Sequence, residues 1–136
     1  MLLEIRIPAL HEDNIYVILS IRYELTVEYY RDSKDKEPVK EFIDGLSEKS
    51  QAQVIGKIEL LAKHGILLKE PYTRHIRGKI WELRIIVSKG YSRIFYFSYT
   101  GKRFVLLHAF LKKTDKTPQA EIEIAEKRMQ DFINRQ

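Results

Sequence analysis

The segment HIRGKIWELRI, His75 to Ile85, is followed closely by GYSRIFYF, Gly90 to Phe97. Arg77, Lys79, Arg84 and Arg93 are threaded through residues that otherwise read as the apolar strands of a sheet. A cation held there needs a partner, a route to water, or an anion. Acids are scarce nearby. From Lys63 to Lys116 thirteen Lys or Arg stand against Glu70, Glu82 and Asp115, a net +10 in a chain whose total is +5. Summed charge of this kind makes one part of the fold a phosphate-attracting surface. Arg84 and Arg93, the run Arg74, His75, Arg77 and Lys79, and the pair Lys112 and Lys113 all fall on strands, at strand ends or in connecting loops. Guanidinium forks match phosphate oxygens two at a time, and lysines add movable point charges. Tyr91, Tyr96 and Phe110 lie close enough in sequence to stack on unpaired bases, although aromatics on strands more often fill a core. This pattern suits a phosphodiester backbone.

Elements of both periods are needed to place these groups. Tyr23, Leu25, Val27 and Tyr29 alternate with Glu24, Thr26, Glu28 and Tyr30, the period of a half-buried strand over Tyr23 to Tyr30. IYVILSI, Ile15 to Ile21, either extends it upstream or stands apart. Pro38 suits the first turn of a helix carrying Val39, Phe42, Ile43 and Leu46, and Gly45 sits near its stop. Ser47 can cap a second helix with Val54, Ile55, Ile58, Leu61 and Ala62 on one face, ending at His64 and Gly65. Gly56 inside it costs about 1 kcal/mol relative to Ala, which points to a close approach of another element.

Past Pro71 the period changes. Ile80 to Val87, Ser92 to Tyr99 and Arg103 to Phe110 are β-branched, aromatic and alternating, joined by hairpin-length connections containing Gly90 and Gly101. In the first of these, Trp81, Leu83, Ile85 and Val87 form the core face, so Arg84 shares the opposite face with Glu82 in an ordinary surface ion pair. Thr117 and Pro118 open a last helix whose buried stripe is Ile122, Ala125, Met129, Phe132 and Ile133. The expected fold is α+β: an antiparallel sheet, made of an N-terminal strand and a three-stranded meander, with a helical hairpin and a C-terminal helix packed on one face.

Other chemistries lack their residues. The chain has no cysteine, so disulfides and thiolate metal sites are excluded and a reducing cytoplasm is the expected compartment. His11, His64, His75 and His108 form no pair at metal-ligand spacing, and neither a metal nor a cofactor is expected. The six glycines are scattered singly, with no phosphate-cradling loop. His108 alternates with Phe104, Leu106 and Phe110. It reads first as a sheet histidine satisfied within the fold, with a general base as the alternative. A seven-residue apolar run cannot span a bilayer, and the acids before it are unlike a signal peptide, so neither membrane insertion nor secretion is expected.

KIWELRI, then GYSRIFYF, then FVLLHAFLKKTDKTPQAEIEIAEKRMQDF resemble, in order and spacing, the phage-derived, HigB-like branch of the RelE/HigB/ParE toxin superfamily of type II toxin–antitoxin systems. The resemblance covers Tyr23 to Phe132 and implies a small RelE-like domain at residues 23–136. Residues 1–22 precede the usual family start, as either an extra strand or the product of an upstream translation start. The resemblance further implies a metal-independent mRNA endoribonuclease acting on the translating ribosome and restrained by a helix-turn-helix antitoxin. It puts Arg84 and Arg93 on a concave active face, Lys112 or Lys113 at its C-terminal edge, and Arg77 and Lys79 in the rim. The base is then a lysine of depressed pKa or His108. Because the ParE branch shares the fold and acts on DNA gyrase, a nonenzymatic inhibitor of gyrase or another protein is the alternative, and an RNA-binding module without cleavage is a third. Oligomeric state is left open.

Overall fold

The computed structural model describes the backbone of residues 2–8 and 14–20, and residues 25–88 and 90–136 in full. Seven strands form one sheet: β1 (Leu2–Pro8), β2 (Asn14–Ser20), β3 (Thr26–Tyr29), β4 (Thr73–Arg77), β5 (Ile80–Val87), β6 (Gly90–Tyr99) and β7 (Arg103–Lys112). Their spatial order is β2-β1-β3-β7-β6-β5-β4. The fold class is α+β as expected, but the sheet is mixed rather than antiparallel. β3 runs parallel to both β1 and β7, with Thr26 opposite Arg103 and Tyr29 opposite Leu106. A helical hairpin lies between β3 and the meander in sequence, and that long connection lets the two strands run the same way. IYVILSI does not extend β3, because Asn14–Ser20 pairs with β1 instead. The start of the expected strand, residues 23 and 24, lies outside the described residues.

Helix α1 (Pro38–Asp44) begins on its proline, and α2 (Glu48–His64) is capped by Ser47, whose Oγ accepts the Ser50 amide at 3.2 Å. Gly65 ends α2 at φ +56°. A Cβ there would meet Leu25 Cδ1 at 3.2 Å, so both conformation and space call for glycine. Gly56, by contrast, has nothing within 4 Å of where a Cβ would stand, so no close approach explains it. The last helix, α3, spans Gln119–Asn134.

The helices do not share one face of the sheet. Val39, Ile43, Val54, Ile58 and Leu61 of the hairpin bury Leu83, Ile85, Ile94, Phe104 and Leu106 on one side. On the other, Ile122, Ala125 and Phe132 of α3 bury Ile80, Phe95, Phe97, Val105, Leu107 and Phe110. β6 is therefore buried continuously from Ser92 to Phe97. A strand covered on both faces has no polar side to show, and the run RIFYF follows from that. Phe95, Phe97 and Phe104 are fully buried, each contributing about 1.5–3 kcal/mol of transfer free energy.

One irregularity decides where side chains point. Phe95 pairs with His108 but Tyr96 pairs with Leu106, so Leu107 is an extra residue in β7. Phe104 and Leu106 face the hairpin, whereas His108 and Phe110 face α3, and the strict alternation expected across these four residues is broken by the bulge.

Candidate anion-binding site

The α3 face of the sheet is covered only part of the way. Arg84 stands opposite Arg93, Arg93 opposite Phe110, Tyr91 opposite Lys112, and Arg74 opposite Glu82. By the period of the strands these residues share the face of Phe95 and Phe110, whose rings meet edge-on at 5.1 Å and close the end of the core. Beyond them a cavity of about 460 Å³ opens, lined by Arg74, Arg84, Tyr91, Arg93, Lys112, Lys113, Thr114 and Asp115. Five cations thus come together from four segments far apart in sequence.

Beneath them lies Glu82, which is fully buried. Its Oε1 is 3.5 Å from Arg93 Nε and 3.8 Å from Arg84 Nε. Neither carboxylate oxygen makes a hydrogen bond, and Arg93 Nε has no acceptor. Arg93 is itself only 5% exposed and donates through Nη1 to the Ser92 carbonyl at 3.1 Å. Burial pulls its pKa down, Glu82 opposes that shift, and Arg84 adds to it. Lys112 is also pulled below the ordinary lysine value, first by burial and then by Arg93, Arg74 and Arg84, against the attraction of Glu82. Glu82 beneath and Asp115 in the lining are two carboxylates against five cations, which leaves the cavity with an unmet demand for negative charge. Its open mouth lets that charge come from solution.

The expectation of a surface Glu82–Arg84 pair is corrected: the acid is in the interior, and its nearer partner is Arg93. Period-2 reasoning put both residues on the right face but could not tell that β5 has a covered neighbour on both sides at Glu82. Trp81, assigned to the core, is 38% exposed and lies edge-on to His75 at 5.2 Å. With Ile66, Leu68, Lys79, Tyr96, Ser98 and Phe104 it lines a separate cavity of about 340 Å³ on the hairpin face.

The remaining expected site residues divide accordingly. Arg74, Arg84, Tyr91, Arg93, Lys112 and Lys113 line the cationic cavity. Lys79 lines the other cavity. The ring of His75 is within hydrogen-bonding distance of the Gly78 carbonyl, Nε2 to O 2.8 Å. Arg77 is not free for an anion, since Nε and Nη2 donate to the Glu126 carboxylate of α3 at 3.0 and 2.5 Å. Tyr96 is 4% exposed and packs under the hairpin, and Phe110 is buried under α3, so neither can stack on a base. His108 is engaged at both nitrogens. Arg128 Nη1 donates to Nδ1 at 3.1 Å and to the Leu107 carbonyl at 2.9 Å, which leaves Nε2–H to donate to Glu121 at 3.1 Å. Burial depresses its pKa, Glu121 opposes, and Arg128 adds to the depression. That ring ties α3 to β7 and stands outside the cavity, so the reading of a satisfied sheet histidine fits its surroundings and the base role does not.

Fold and site together define a small basic α+β protein with a cationic cavity open at one end of its sheet. A family model, phage derived protein Gp49-like (DUF891), matches residues 41–130, about two thirds of the chain, and the protein belongs to that family. It is a RelE-like, toxin-like family of toxin–antitoxin systems, and a toxin of that kind implies an antitoxin partner. No curated protein matches the sequence. Among the described residues no group of three or more His, Asp or Glu side chains could hold a metal ion, and no helix is long and apolar enough to cross a membrane.

Proposed function

We propose that the protein is the toxin of a HigB-like toxin–antitoxin pair and that it cleaves mRNA, on the ribosome, in the cytoplasm. The observation that carries this reading is the convergence of Arg84, Arg93, Lys112 and Lys113 on one open cavity above a single buried carboxylate. The RNA 2′-hydroxyl attacks the adjacent phosphorus, the bond from phosphorus to the 5′ oxygen breaks, and the products are a 2′,3′-cyclic phosphate and a 5′-hydroxyl. Arg84 and Arg93 hold the nonbridging oxygens and meet the charge that grows on them, a role worth about 3–4 kcal/mol for a well-placed donor.

Lys112 takes the proton of the 2′-hydroxyl. Burial and the neighbouring Arg93, Arg74 and Arg84 hold its pKa below the ordinary lysine value, the direction a general base requires. Lys113, on the rim, clamps the phosphate and gives its proton to the 5′ oxygen, which leaves as the hydroxyl. Arg74 and Tyr91 extend the contact along the strand of RNA. Glu82 positions the arginines from below and does not reach the substrate.

Induced expression in a host lacking the antitoxin tests this. The wild-type chain arrests growth, and Arg84→Ala and Arg93→Ala, each accumulating to the same level, leave growth normal. Full arrest by both variants would remove the proposed site. Arrest with intact transcripts and inhibited gyrase would select the alternative of a protein-directed inhibitor. Coexpression with the adjacent reading frame, expected to encode a small helix-turn-helix antitoxin, restores growth and yields a copurifying complex.

A further inference from the structure

β4 covers β5 only from Ile80 to Leu83. Where it gives out, the chain turns through Pro71 and Tyr72, and the Tyr72 carbonyl accepts the Arg84 amide at 2.8 Å. The edge of β5 past this point is bordered by the turn on one side and by α2 on the other. A second cavity of about 430 Å³ lies there, lined by Gln53 and Lys57 of α2, by Pro71, Tyr72, Ile85 and Ile86, and by Arg84, Tyr91 and Arg93. The last three also line the cationic cavity, so the two spaces border the same side chains.

Their linings differ in kind. The cationic cavity is lined almost wholly by charged side chains, whereas this one sets Pro71, Ile85, Ile86 and the rings of Tyr72 and Tyr91 among the cations Lys57, Arg84 and Arg93. Tyr91 is 53% exposed, with the Arg93 guanidinium 5.4 Å from its ring centre, and Tyr72 is 40% exposed, with Lys57 Nζ 5.1 Å from its own. Each ring is thus held by a cation while much of it stays open. Gln53 Oε1 is buried without any hydrogen-bond partner. That oxygen has no surface open to the cavity, so a donor there reaches it only as the partly exposed Gln53 amide swings outward, which relieves the cost of the missing partner. The volume lies within the range of about 300–1,000 Å³ typical of small-molecule sites.

We infer that this second cavity is a nucleobase subsite, in which a base next to the phosphate held by Arg84 and Arg93 packs on Tyr91 or Tyr72 and donates an N–H to Gln53 Oε1. A nucleobase combines the two features the lining asks for, an apolar face and a polar edge. The inference rests on the proposed action on RNA for its ligand class. It makes Gln53, remote in sequence from every strand arginine, a determinant of which base is accepted. Direct hydrogen bonding to a base edge discriminates among bases, while stacking alone tolerates all of them.

Binding and cleavage test it separately. The four nucleoside 5′-monophosphates and inorganic phosphate are titrated into the intact protein, following the Gln53 side-chain amide by NMR. At least one nucleotide should bind about fivefold or more tighter than phosphate and shift the Gln53 amide, the factor expected of a single base stack. Gln53→Ala should erase the preference among the four nucleotides, keep the stacking advantage over phosphate, and leave phosphate affinity unchanged. Nucleotides binding no tighter than phosphate would overturn the subsite. The second measurement maps the base composition around cleaved bonds for wild type and Gln53→Ala. A changed composition supports the subsite, and active cleavage with an unchanged one refutes it. Nucleotide binding at Gln53 without any RNA cleavage would keep the subsite and discard the nuclease.

Discussion

Replacing Glu82 by Gln removes the buried negative charge beneath the cationic cavity while keeping the side chain's shape. At 3.5 Å and an effective dielectric of about 20, the attraction between Glu82 and Arg93 amounts to about 5 kcal/mol. The Arg84 contact, at 3.8 Å to a side chain 35% exposed, is screened and adds at most about 1 kcal/mol. Losing one member of a buried pair costs about 3–5 kcal/mol, because the other charge stays buried and uncompensated. Glu82→Gln should therefore unfold at a melting temperature lower by roughly 10–20 °C. Part of that loss should be recoverable. Inorganic phosphate entering the cavity replaces the missing charge, and at ten times its dissociation constant it adds about 1.4 kcal/mol. Glu82→Gln paired with Arg93→Met should be much more stable than Glu82→Gln alone, since the uncompensated cation is then gone. Thermal and urea unfolding of the three variants, with and without phosphate, measure this. A Glu82→Gln cost under about 1 kcal/mol, or a double variant as unstable as the single one, would refute the electrostatic account.

Lys112→Ala should lower cleavage by about 10²–10⁴-fold, and Lys112→Arg should not rescue it, because guanidinium holds its proton; the wild-type rate should rise with pH up to a pKa below the ordinary lysine value. A pH–rate profile of the three proteins decides, and full activity in Lys112→Arg would leave the lysine as a clamp only. His108 has a folded pKa below its ordinary value, so the unfolded chain binds the extra proton. The stability this depression protects is fully present above about pH 6.5 and is lost as pH falls toward the folded pKa. Melting curves from pH 8 to 5 should show the loss in the wild type and a smaller one in His108→Gln. Equal slopes would contradict the tie between β7 and α3.

The helices were legible because their signals are local. Pro38, Ser47, Gly45 and Gly65 sit at the ends that capping predicts, and the apolar spacing of α2 and α3 matches the buried faces found. The three meander strands were legible for the same reason. What failed depends on contacts made at a distance. β4, with the polar sequence TRHIR, carries no apolar period and becomes a strand only because the edge of β5 pairs with it. Placing the helices on both faces would have required knowing that β6 is covered twice, which RIFYF hinted and alternation obscured. The bulge at Leu107 turned His108 toward α3, and no residue type in LLHAF announces it. Arg84, Arg93, Lys112 and Lys113 could be picked out because strand cations in acid-poor sequence are unusual. Gln53 could not, since a glutamine beside the apolar stripe of a helix has no signature until the fold sets it beside β5.

The central claim is that the cationic cavity cleaves RNA, and the most direct test is the chemistry of RNA ends in a translating extract. Purified wild-type protein should generate new mRNA 5′ ends bearing hydroxyl groups, with 2′,3′-cyclic phosphates on the upstream fragments, and Arg84→Ala and Arg93→Ala should generate none. Transcripts that stay intact while translation or growth stops, or the same new ends from both arginine variants, would contradict it.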